Sequence, residues 1–95
     1  MLFGVGHNKY GALGIGNSEN ANKFIKSQID FPVSEIAAGD GFSIIISVKG
    51  EMYGAGHHTF HGHKSKDNLL SFKRICEDDT FVKVSAGFTH SLAIN

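Results

Sequence analysis

The chain has 95 residues and carries 9 Lys and Arg against 9 Asp and Glu, so its formal charge is zero. Residues 1–48 hold three lysines and four acids, and residues 49–95 six bases and five acids, so neither half forms a basic arm or an acidic tail. That balance excludes nucleic-acid or membrane-surface binding through a broad basic patch, and 41% apolar with 19% charged residues excludes a disordered chain.

In chain order, Phe3-Gly4-Val5-Gly6 reads as a short strand whose glycines mark a bend or a close approach of backbone. Residues 18–29 place Phe24, Ile25, Gln28 and Ile29 on one helical face with Pro32 as a stop, but an irregular loop is the stronger reading there. Ser43-Ile44-Ile45-Ile46-Ser47-Val48 is a β-branched run expected as a strand buried on both faces, too short to span a bilayer. Lys49-Gly50 followed by Glu51-Met52-Tyr53 predicts a tight hairpin in which glycine supplies the positive φ. Cys76, the one cysteine, precludes an internal disulfide, suits a reducing compartment and is expected to pack beside Ile75. Glu77-Asp78-Asp79 reads as a solvated turn without the alternating ligands of a calcium loop. Val82-Lys83-Val84 and Leu92-Ala93-Ile94 alternate as strands with one face inward. Met1-Leu2-Phe3-Gly4 lacks the basic start of a signal peptide, so an intracellular setting, cytoplasmic or nuclear, is expected.

The chain repeats itself. Phe3-Gly4-Val5-Gly6-His7 returns fifty residues later as Tyr53-Gly54-Ala55-Gly56-His57, and Tyr10 returns as Phe60. Ile36-Ala37-Ala38-Gly39 returns forty-eight residues later as Val84-Ser85-Ala86-Gly87, followed in both copies by a matching strand. A period of about 48–50 residues falls where propeller blades lie. The difference in offset predicts a connection two residues shorter in the second copy.

These blocks resemble the blade signature of the regulator of chromosome condensation family. Leu2-Phe3-Gly4-Val5-Gly6-His7-Asn8 followed by Gly11-Ala12-Leu13-Gly14 is similar to its aromatic-Gly-x-Gly-x-Asn and Gly-Gln-Leu-Gly elements. Val84-Ser85-Ala86-Gly87-Phe88-Thr89-His90-Ser91-Leu92-Ala93 is similar to its Ala-Gly-x-x-His-Ser/Thr-Leu-Ala run. The family's tryptophan is replaced by Phe3 and Tyr53, its histidine by Phe42 in the first copy, and Gly-Gln-Leu-Gly by His61-Gly62-His63-Lys64 in the second. The resemblance implies an all-β fold of about two four-stranded antiparallel blades, a partial propeller ring over residues 1–95 with repeat-like blocks 2–48 and 52–95. Gly4, Gly6, Gly39, Gly54, Gly56, Gly87 and His90 then carry the repeat. Because the chain begins and ends inside the repeat, a fragment or a docked piece of a larger propeller is expected ahead of a self-associating one. The expected core is Leu2, Phe3, Leu13, Ile36, Ile44, Ile46, Val84, Leu92 and Ile94, with His90 a buried histidine bonding backbone.

Function follows the same line. His57, His58, His61 and His63 have spacing that could hold Zn²⁺, but drift of a polar loop is the better account, so neither a metal nor a cofactor is expected. Gly11-Ala12-Leu13-Gly14-Ile15-Gly16 is not a phosphate cradle, and His90-Ser91 has Phe42-Ser43 in the same place, which argues against a catalytic pair and against an enzyme. The resemblance implies a non-catalytic platform for a protein partner or for the remainder of the propeller. Its alternative is part of a guanine-nucleotide exchange factor for a small GTPase, although no segment matches an exchange loop. Residues 17–22 and 57–67 differ most between the copies, which makes them the expected partner-facing loops, with His58, His61 and Lys64 foremost.

Overall fold

Short β-branched runs separated by glycine-marked turns can bury their apolar side chains only by pairing side by side. The computed structural model describes residues 1–64 and 66–95, and all regular elements among them are β-strands. They are β1 (Phe3–Gly6), β2 (Ala21–Lys26), β3 (Val33–Ala38), β4 (Phe42–Ser47), β5 (Met52–Gly56), β6 (Leu69–Ile75), β7 (Lys83–Ala86) and β8 (Ser91–Ile94). All pair antiparallel, in a four-stranded sheet ordered β3-β4-β5-β6 between two-stranded sheets β1-β2 and β7-β8. This is a partial β-propeller, one whole blade between two halves.

β4 is buried at nearly every position because it is central in its sheet and covered on both faces. Ile44 and Ile46 join Phe42, Met52 and Ile75 in a core on which Val84 and Ala86 of β7 pack, while Ile45 faces the opposite side, toward the β1-β2 sheet. Each of these buried isoleucines contributes roughly 1.5–3 kcal/mol of transfer free energy. The β4-β5 hairpin closes as expected. Gly50 sits at φ 86 and donates to the Ser47 carbonyl at 2.9 Å. The Ser47 hydroxyl accepts from the amides of Lys49 (3.3 Å) and Glu51 (3.2 Å).

The internal repeat is a repeat of pairing register. Phe3↔Lys26, Gly4↔Ile25 and Gly6↔Ala21 in the first sheet correspond to Tyr53↔Arg74, Gly54↔Lys73 and Gly56↔Leu69, with the bulge in the same place. Ala38↔Ser43 through Glu35↔Ile46 correspond to Ala86↔Ser91 through Lys83↔Ile94. Even the loop cap recurs: the Asn8 amide donates to the Asn20 side chain at 2.7 Å, and the His58 amide to the Asn68 side chain at 2.9 Å. The two-residue shortening therefore lies between those points.

Three expectations are corrected. Residues 21–26 are neither helix nor irregular loop but strand β2, because pairing with β1 overrides the local helical period and sends Phe24 and Ile25 to opposite faces. Phe3, Ile36, Leu92 and Ile94 are not core residues: they are 49–75% exposed, since the outer half-blades and the outer face of β3 are uncovered. Cys76 does not pack; it is exposed at φ 50, in a turn closed by the Asp79 amide on the Cys76 carbonyl at 3.1 Å. Ile44 and Ile46 are buried as expected, and Ile45 is buried on the other face of the same strand, whereas Phe42, Met52, Ala55, Leu69 and Ile75 are core residues that the pattern did not single out.

A candidate interaction surface on the strand connections

The β5-β6 connection starts where β5 runs against the loop it supports. A Cβ on Gly54 would collide with the His61 carbonyl, and Gly56, at φ 110, passes so close to Gly41 and Phe42 that only glycine fits. The chain then makes one tight turn, with the amides of Phe60 and His61 donating to the His57 carbonyl at 3.0 and 3.1 Å.

His61 anchors this loop from within. Its side chain is fully buried, its Nε2 lies 3.0 Å from the Asp67 carbonyl, and its Nδ1 accepts from the His63 amide at 3.0 Å. A ring that donates at Nε2 and accepts at Nδ1 is the neutral imidazole. Burial accordingly lowers the His61 pKa from its ordinary 6.5; the neighbouring His63, His58 and His57 act in the same direction, and the Asp67 bond opposes them. His61 was expected to face a partner; with its side chain sealed in the loop it cannot.

The other imidazoles do not converge with it. His57 stacks on His58 with ring centroids 4.5 Å apart and on Phe60 at 5.1 Å, and meets the edge of Tyr10 at 4.7 Å. His61 and His63 sit edge to face at 6.2 Å, and both nitrogens of His61 are engaged. Among the described residues no group of three or more His, Cys, Asp or Glu is placed to hold a metal ion.

The β1-β2 connection is the same loop one blade earlier, and Asn8 plays there the part of His61. The fully buried Asn8 donates through Nδ2 to the carbonyls of Asn17 (2.9 Å) and Glu19 (3.0 Å), and its Oδ1 accepts from the Leu13 amide at 3.0 Å. Asn8 stood in the sequence only as part of the aromatic-Gly-x-Gly-x-Asn motif, and the second copy has His58 in its place, so the repeat did not single it out. Gly11 packs on Leu69 and Leu70 and Gly14 on the ring of Phe72, so the glycines of this loop serve contact with the next blade.

Tyr10 bridges the two loops. Its ring lies between His7 (6.3 Å) and His57, with the Lys9 ammonium 5.6 Å from the centroid. His58, Lys64 and Lys66 are exposed on the second loop, and Asn17, Glu19 and Asn20 on the first. Of the repeat residues, Gly39 and Gly87 occupy matching turns, their amides donating to the carbonyls of Phe42 (2.9 Å) and His90 (2.7 Å). His90 thus stands where Phe42 stands, but its side chain is exposed and not buried, because among the described residues β8 pairs only with β7 and nothing covers its far side. Gly4 lies within β1 against Leu13, and Gly6 ends it.

Residues 1–46 match the model of the regulator of chromosome condensation (RCC1) repeat. The chain is 34% identical over 62 residues to rat probable E3 ubiquitin-protein ligase HERC4, covering 62% of this chain and 6% of that protein. It is 31% identical over 98 residues to mouse secretion-regulating guanine nucleotide exchange factor, covering 97% of this chain and 21% of that protein. The chain thus spans a small part of the length of these relatives. Its fold matches yeast RCC1 (Prp20), solved with Kap60 bound, at a TM-score of 0.69 and 20% identity over 96% of this chain and 24% of that one. Strand order, a bulge repeated in register and the sequence match agree: the chain belongs to the RCC1 repeat family.

Proposed function

We propose that the chain is a non-catalytic protein–protein interaction module, a section of an RCC1-like propeller that presents its β1-β2 and β5-β6 connections to a protein partner inside the cell. One observation carries this reading: His61 and Asn8 fix the two loops from beneath while His58, Lys64 and Lys66 stay exposed on top, so a rigid polar surface is presented with little ordering cost on binding. The zero net charge suits a protein partner over a nucleic acid. The test is proximity labelling with the chain and with its H58A/K64A variant, both confirmed folded by circular dichroism. Partners lost from the variant support the reading, and an identical partner set refutes it. Titrating salt against the captured complex adds a check, since a protein partner gives a shallow response and chromatin a steep loss.

A second reading is favoured by the likeness to the mouse exchange factor over 97% of this chain, namely that it is part of a guanine-nucleotide exchange factor for a small GTPase. Faster release of a fluorescent GDP analogue from a small GTPase on adding the chain would support it.

A further inference from the structure

One strand pairing inside the chain has no counterpart. The β1-β2 and β5-β6 pairs correspond, and so do β3-β4 and β7-β8, but β4-β5 occurs once. Among the described residues β1 pairs only with β2, and β8 only with β7, so the strands equivalent to β5 and β4 each show an open edge. The internal pairing runs Phe42↔Gly56, Ser43↔Ala55, Ile44↔Gly54, Ile45↔Tyr53 and Ile46↔Met52. Carried through the repeat, it becomes His90↔Gly6, Ser91↔Val5, Leu92↔Gly4, Ala93↔Phe3 and Ile94↔Leu2.

We propose that a second copy of this chain docks head to tail on the first, its β8 adding to the edge of β1 in that register, so that two half-blades complete one sheet. The side-chain layer agrees with the backbone register. Inside the chain, Phe42, Ile44 and Ile46 fill the space against Val84 and Ala86 of β7. The corresponding place at the other end, between the β1-β2 sheet and Ile36 and Ala38 of β3, is an open apolar cleft of about 270 Å³ that Leu2, Leu13 and Phe24 also line. By the repeat, the residues that belong in it are His90, Leu92 and Ile94, and in the single chain Leu92 is 75% and Ile94 61% exposed. Neither edge carries the devices that keep strands apart, as residues 2–6 and 91–94 contain no charge and no proline. This pairing is independent of the loop-surface reading above.

The test begins with light scattering and circular dichroism on the unmodified chain. A β-rich species with a mass that is a multiple of 10.2 kDa is expected. The register is then read in a Cys76→Ser background by pairing Val5→Cys with Ser91→Cys. Residues directly opposite in antiparallel strands lie within disulfide reach, and a slip of two positions puts them beyond it. V5C/S91C should therefore give reductant-sensitive chain-to-chain ladders, and F3C/S91C should not. A folded monomer at all concentrations, meaning that other strands cover these edges, overturns the proposal, as does an assembly in which F3C/S91C links and V5C/S91C does not.

Discussion

Replacing His61 with Phe keeps a ring of similar volume in the loop but removes both nitrogens. The lost bonds are Nε2 to the Asp67 carbonyl and the His63 amide to Nδ1, each 3.0 Å long. At roughly 0.5–1.5 kcal/mol net per hydrogen bond, the substitution should cost about 1–3 kcal/mol. The lower half of that range is favoured because Asp67 and His63 are themselves exposed and water can satisfy the groups left behind. For a domain of this length the loss corresponds to a melting temperature lower by about 4–24 °C. Burial lowers the folded-state pKa of His61, so the unfolded chain takes up the proton first as pH drops below its ordinary 6.5. The stability that neutral His61 supplies is thus complete above that pH and declines below it, by at most about 1.4 kcal/mol per pH unit, until the folded ring also protonates. H61F lacks this decline, so the gap between the two proteins should narrow between about pH 7 and 5. Urea unfolding followed by circular dichroism, at one fixed chain concentration, measures both quantities. A variant as stable as the parent, or a gap that stays constant across that pH range, would refute the role assigned to this ring.

Asn8→Ala removes the three main-chain bonds of a fully buried side chain and should cost about 2–4 kcal/mol, with hydrogen exchange accelerating first at residues 13–20. Gly56→Ala puts a Cβ at φ 110 and onto the backbone of Gly41 and Phe42; a loss of about 3 kcal/mol or more should show as failure to give a β-sheet spectrum. Cys76→Gly should instead stabilise, by up to about 1 kcal/mol in the same urea assay, because an exposed non-glycine residue at φ 50 is relieved of left-handed strain. The 3.2 Å pair between Arg74 and Glu51 is about one-third exposed at both ends, so Glu51→Gln should lower the unfolding free energy measured in urea by no more than about 1 kcal/mol, and by less at high salt.

What could be read from the residues was local pattern and whatever the repeat stated twice. The strand at Ile44-Ile45-Ile46 and the glycine turn at Gly50 rest on short-range pattern and the all-β fold on the repeat and the family resemblance, and the structure has them. β2 escaped because its partner β1 lies across a connection, and the local sequence of Phe24 and Ile25 carries no alternation to announce it. The exposure of Leu92 and Ile94 is a property of which sheets are present, not of the side chains, so periodicity assigns them a buried face that a single chain does not cover. His61 was misplaced for a related reason: histidines clustered on a connection look like a polar surface, and only the path of the loop shows that one of them turns inward to hold the others out.

The four-stranded sheet takes β3 and β4 from one sequence repeat and β5 and β6 from the next. The unit that recurs in the sequence is therefore out of phase with the unit that folds. A duplication of the repeat adds a full set of four strands but never an isolated blade, since each new copy hands half of its strands forward and receives half from behind. Lengthening such a chain by whole units keeps every internal sheet stitched across a junction. Changes in connection length, like the two residues missing from the second copy, fall in the loops and leave the stitching untouched.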